Sequence, residues 1–110
     1  MAVSVTTRRH DGVATVVVAG ELDLGAGEVV AEAIGLAVTA TGTNAVIVDL
    51  SELEFVDSSG ISVLLKGRRE ADRTGIAYRI TGAAGIVQEI LSLTGVLEHL
   101  SAEPPGDPRP

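Results

Sequence analysis

The sequence predicts an α/β domain in which a mixed sheet of four to five strands carries three or so helices on one face. Three observations lead there. Short apolar segments at Val3–Thr6, Val13–Ala19, Ala45–Leu50 and Ile76–Ile80 have the length and period of strands. Between and after them run apolar stripes with helical spacing. After an opening pair of strands the elements alternate, giving the order β-β-α-β-α-β-α, which makes one mixed sheet with its helices most simply on one face.

Val3-Ser4-Val5-Thr6 alternates with period two, and Asp11-Gly12 is a hairpin turn signal ahead of the run Val13 to Ala19. The chain therefore opens with an antiparallel pair. Gly20-Glu21-Leu22-Asp23 reads as the break after the second strand, leading toward a helix. In that helix Val30, Ala33, Ile34, Ala37 and Val38 form an i, i+3, i+4, i+7, i+8 stripe, closed by Gly42. Ala45 to Leu50 is apolar almost throughout, as a central strand should be, and Ser51 to Val56 reads as its connection to the second helix. Ile61, Leu64, Leu65 and Ala71 mark the inner side of that helix. Gly67 shares this side and allows close approach to the sheet. Ser62, Lys66, Arg69 and Arg73 form the outer, solvated stripe. Gly75 ends the helix, Ile76, Tyr78 and Ile80 alternate as a further strand, and Ile86, Val87, Ile90, Leu91 and Leu93 mark a third helix with Gly95 at its C-cap. The fold is expected over residues 1–101. Residues 102–110, with all four prolines and no apolar period, are expected to form a disordered tail.

Composition excludes several functions. With 110 residues the chain suffices for one self-supporting core. It has no cysteine, and its two histidines, His10 and His99, lie far apart, so no metal-ligand cluster and no cofactor is expected. A net charge of −7 with one Phe and one Tyr argues against nucleic acid, which needs basic and stacking surfaces. Neither a signal peptide nor an apolar run of the ~18 residues needed for a membrane span is present. A cytoplasmic protein without membrane contact is expected, and its acidity suits a basic protein partner as well as it suits solubility.

The segment carrying most information is Asp57-Ser58-Ser59-Gly60, which places a carboxylate and two hydroxyls where the central strand gives way to the second helix. A helix start has up to four backbone N–H groups without intrahelical partners and a partial positive charge, so it suits a phosphate. The plain alternative is that Asp57 or Ser58 is only an N-cap. Catalysis fits poorly. The G-x-S-x-G elbow is missing because Val56 stands where its first glycine belongs. Neither histidine is placed to serve as a base, and no P-loop is present. A phosphoacceptor Asp57 of the receiver type would need an acidic pair after the first strand, where this chain has a hairpin. The protein is not expected to be an enzyme.

Gly20-Glu21-Leu22-Asp23 together with Val48 to Ile61 closely resembles the STAS domain, specifically the bacterial anti-sigma-factor antagonists, with element order matching from about Val3 to Leu100. The resemblance implies that Ser58 is phosphorylated by a partner, an anti-sigma factor with serine kinase activity. The unphosphorylated form binds that partner and frees the sigma factor, and a serine phosphatase resets the switch. It also implies that Glu21, Asp23, Asp57, Ser58, Ser59 and Gly60 form the partner-binding surface. Asp23 has the alternative reading of a cap on the first helix, while Ser59 and Gly60 shape the turn. The chain is expected to be a monomer or weak dimer. The alternative within the resemblance is a non-catalytic STAS scaffold subunit of a signalling or lipid-transport complex.

Overall fold

The computed structural model describes residues 3–23 and 25–96. Strands β1 (Val3–His10), β2 (Val13–Leu22), β3 (Ala45–Val56) and β4 (Ala77–Thr81) form one sheet in the order β1-β2-β3-β4. Helices α1 (Gly27–Thr39), α2 (Ser58–Thr74) and α3 (Gly85–Leu93) fall between β2 and β3, between β3 and β4, and after β4. The β1–β2 pair is antiparallel across an Asp11-Gly12 turn with both residues at positive φ, as the sequence anticipated. The β2–β3 and β3–β4 pairs are parallel. Four strands are present among the described residues. The proline-rich segment 102–110 lies outside them.

Burial along the strands is one-sided. Ala14, Val16, Val18, Val46, Val48, Leu50, Tyr78 and Ile80 are buried, whereas their alternating neighbours are half-buried or exposed. The buried set joins Val30, Ile34, Ala37 and Val38 of α1, Leu64 and Ala71 of α2, and Val87 and Leu91 of α3 in a single core. All three helices thus feed one layer against one sheet face.

Gly67 sets how closely α2 approaches. A Cβ there would sit 2.6 Å from the Tyr78 hydroxyl and 2.9 Å from Cγ2 of Ile34. The Tyr78 hydroxyl in turn donates to the Leu64 carbonyl at 2.8 Å, so the one buried phenol has its polar atom satisfied. Burial pushes the ionisation of Tyr78 far above the usual phenol range, with neighbouring Arg68 opposing only weakly. Arg68 itself is buried on α2 and reaches Asp72 at 3.4 Å. Its aliphatic stem helps cover the core, a role the polar pattern of the sequence concealed. Gly75 caps α2 in the left-handed conformation as expected.

Several expectations need correction. β2 does not break at Gly20 but runs on to Leu22, and Ser51–Val56 is strand rather than connection. The two extensions pair with each other, and register shifts between Val17 and Ala19 and between Gly20 and Glu21 absorb the extra residues of β3. Charged residues alternating irregularly with Leu53 and Val56 disguised this bulged stretch. Helix α1 ends at Thr39, ahead of Gly42. In α3 only Val87 and Leu91 are buried, while Ile86 and Leu93 are 48% and 82% exposed. A nine-residue helix turns only its i and i+4 positions fully inward.

Two outcomes test this packing. Gly67→Ala should lower stability by about 1–3 kcal/mol in urea unfolding, because Tyr78 and Ile34 must shift. Because the folded state holds the Tyr78 proton more tightly than the unfolded chain, stability should be level below pH ~10 and fall as pH rises above it. Tyr78→Phe should remove that alkaline slope while costing about 0.5–1.5 kcal/mol at neutral pH through loss of the hydrogen bond.

Candidate functional site

The site forms where β2 and β3 end side by side. Glu21 pairs with Phe55 and Leu22 with Val56 in the parallel ladder, and the Asp57 amide then donates to the Leu22 carbonyl at 3.2 Å. One residue later the chain enters α2. Gly60 lies directly over this junction: a Cβ at position 60 would fall 2.6 Å from the Leu22 carbonyl oxygen and 2.8 Å from Cγ2 of Val56. Only glycine allows the first turn of α2 to rest on the end of β2. The Gly-Glu-Leu-Asp and Asp-Ser-Ser-Gly segments, 37 positions apart by the step from Gly20 to Asp57, are therefore physically in contact.

Asp57 is the N-cap of α2. Its Oδ1 accepts from the Gly60 amide at 3.0 Å and from the Ser59 hydroxyl at 2.6 Å. The Asp57 carbonyl takes the Ile61 amide at 3.0 Å. Ser59 is half-buried, with its hydroxyl committed to the cap. The Ser62 hydroxyl donates back to the Ser58 carbonyl at 3.1 Å. Ser58 is the exposed member of the motif, at the first position of a 17-residue helix whose first turn holds no acidic side chain. A negatively charged group added there meets the positive end of that helix on one side and the Asp57 carboxylate on the other.

Of the residues singled out from sequence, Glu21 is brought to this corner by the ladder. Asp23 follows directly on β2 and stays half-buried. Asp23 does not cap α1: the N-cap is Ala26, without a side-chain bond, and Asp23 contributes its carbonyl to the Ala26 amide at 2.9 Å. Its carboxylate is spared for other work. Phe55, absent from the sequence-based site, is 39% exposed beside Glu21 and three residues ahead of Ser58. An exposed Phe in a chain with only one was the available signal. Among the described residues no cluster of His, Asp and Glu has metal-binding geometry, and no helix is long and apolar enough to cross a membrane.

The STAS domain model matches residues 4–105. The chain belongs to the STAS domain family. Within it, this STAS domain is 29% identical over 94 residues to the anti-sigma-F factor antagonist RsfB of Mycobacterium tuberculosis, covering 86% of this chain and 75% of that protein. It superposes with TM-score 0.81 on the crystal structure of an anti-sigma factor antagonist from Mycobacterium paratuberculosis, at 27% identity, covering 96% of this chain and 89% of the other. The same fold appears in Bacillus SpoIIAA in its phosphorylated form, at TM-score 0.69 and 19% identity, covering 94% of each chain. A four-stranded mixed sheet with three helices is thus the shared frame of these STAS domains.

The capping geometry predicts an asymmetry between neighbours. Asp57→Ala should cost about 0.5–2 kcal/mol of stability, whereas Ser58→Ala should stay within about 0.5 kcal/mol of the parent. Urea unfolding of the two variants side by side measures the difference.

Proposed function

We propose that this STAS domain is an anti-sigma factor antagonist switched by phosphorylation at Ser58. The supporting observation is the division of labour among the hydroxyls at the start of α2. Ser59 is bound to the Asp57 carboxylate and Ser62 to the Ser58 carbonyl, which leaves Ser58 as the exposed side chain at a helix terminus. The relatives named above as anti-sigma factor antagonists support the same reading. In this reading the unphosphorylated form binds an anti-sigma factor with serine kinase activity and frees its sigma factor. Phosphorylation releases the partner, and a serine phosphatase restores binding.

The partner surface comprises Glu21, Asp23, Asp57, Ser58, Ser59 and Gly60, with Phe55 as the apolar knob at its edge. Aromatic residues of this kind, ringed by polar groups, anchor interfaces. Three acids in the set favour a partner with basic groups opposite them.

The switch acts at the interface and leaves the fold alone. Phosphate adds about −1.5 to −2 charges. The α2 terminus favours an anion by ~0.3–1 kcal/mol, and repulsion from Asp57 in water and salt is of comparable size. The two effects largely cancel within the domain. In a desolvated complex the new charge faces a surface already matched to a neutral hydroxyl, and an unpaired buried charge costs several kcal/mol. A hundredfold loss of affinity needs only ~2.7 kcal/mol.

Incubation with the anti-sigma factor of its own cell and ATP, followed by mass spectrometry, should place phosphate on Ser58. Phosphate on Ser59 or Ser62 with Ser58 bare would overturn the assignment. Ser58→Ala should bind that partner and never be released, and Ser58→Glu should bind at least about tenfold more weakly by calorimetry. Urea midpoints of the phosphorylated and unphosphorylated forms should agree to within about 2 kcal/mol of stability. Phe55→Ala should weaken binding by about 1–2 kcal/mol with phosphorylation still confined to Ser58.

A further inference from the structure

The sheet face away from the helices has no cover among the described residues. Parallel sheets are ordinarily covered on both faces, yet β2, β3 and β4 leave Val13, Val17 and Ile47 only half-buried on this side. The ladder defines rows across the face. One runs Arg8, Thr15, Ile47, Arg79, so two exposed arginines flank an apolar centre. The next runs Thr6, Val17, Asp49, Thr81, and beyond it Glu52 pairs with Ala19. Basic side chains thus occupy one half of the face and carboxylates the other. In a chain of net charge −7, these rows carry two arginines against two acids, and Glu21, in step with Ala19 on β2, adds a third acid beside Phe55 at the far end.

We infer that the uncovered sheet face is a self-association surface for a second copy of this chain. A two-fold axis lying across the strands between the Arg79 and Asp49 rows stacks the apolar centres and turns one copy upside down on the other. The arginine half of each copy then meets the Asp49–Glu52 half of its partner, and β1 lies over β1. A two-fold axis along the strands would instead set Arg8 against Arg79, a like-charge contact that disfavours that arrangement. With arginines gathered in one half and acids in the other, the face complements its own copy better than a uniformly acidic or uniformly basic protein.

The footprint sets the strength. Four strands about 4.8 Å apart, with eight pairs in the ladder to β1 and five in that to β4, share on the order of 400 Å² per copy, roughly 800 Å² in total. That lies under the ~1,200 Å² of stable interfaces, so the dimer is a weak one.

Sedimentation velocity of the full chain, from micromolar concentrations up to about 1 mM, should show a reversible monomer–dimer equilibrium. Arg79→Glu, at an exposed position, should weaken dimerisation at least about tenfold, and adding Glu52→Arg should restore it. The chain has no cysteine, so a single Thr6→Cys should be joined to its counterpart by a bismaleimide spanning about 10–15 Å, the reach needed between sheets packed ~10 Å apart, while Ser62→Cys on α2 should not. A chain that stays monomeric throughout, with residues 97–110 or nothing over the face, overturns the inference. So does a dimer indifferent to Arg79→Glu but broken by Leu36→Glu on the outer side of α1.

Discussion

The contact between Gly60 and the Leu22 carbonyl is the constraint on which the rest of the domain depends. It seats the first turn of α2 on the end of β2 with no space for a side chain between them. The Asp57 amide closes the same junction by donating to that carbonyl. Because β2 and β3 reach this point in register, two segments distant in sequence become one surface. The direction of α2, and with it the exposure of Ser58, follows from this seat. Midway along the helix, Gly67 against Tyr78 fixes the depth at which it lies on the sheet. Two glycines therefore determine the pose of the helix that carries Ser58.

In the proposed function, the same corner keeps stability and signalling apart. The cap is made by Asp57 and reinforced by Ser59, through bonds that any helix start of this kind needs. Ser58 contributes little to it. A modification at Ser58 can then change the outward charge without removing a bond that holds the helix. Were the capping residue the phosphoacceptor of the proposed cycle, each turn of it would loosen the start of α2. The spared Asp23 carboxylate fits the same pattern, since α1 begins at Ala26 without any side-chain cap.

The sheet is asymmetric for a physical reason as well. Every helix feeds one core, and most of the buried strand positions are Ala, Val or Ile, which suits a close-packed layer under the helices. The opposite face has a different composition, with arginines, threonines and a few half-buried apolar residues. Its charge division lies across four strands and is visible only once the register is known.

Much of this was legible in the sequence because period and punctuation are local. The hairpin at Asp11-Gly12, the stripe of α1, the glycine stop of α2 and the helix start at Ser58 each come from residues close in the chain. The fold class and the motif at Asp57–Gly60 followed from them. The bulged extensions of β2 and β3 were hidden, because their pairing is with each other and their own patterns are irregular. The burial of Arg68 and the exposure of Ile86 and Leu93 depended on which elements lie alongside, information no single helix contains. The resemblance singled out Ser58 over Ser59, but the physical difference between them came from the folded geometry: the turn of the helix bonds the Ser59 hydroxyl to Asp57 and leaves Ser58 exposed. Sequence determined the elements and the chemistry available at the helix start. Tertiary structure decided what that chemistry faces, because register and close approach arise only when distant segments meet.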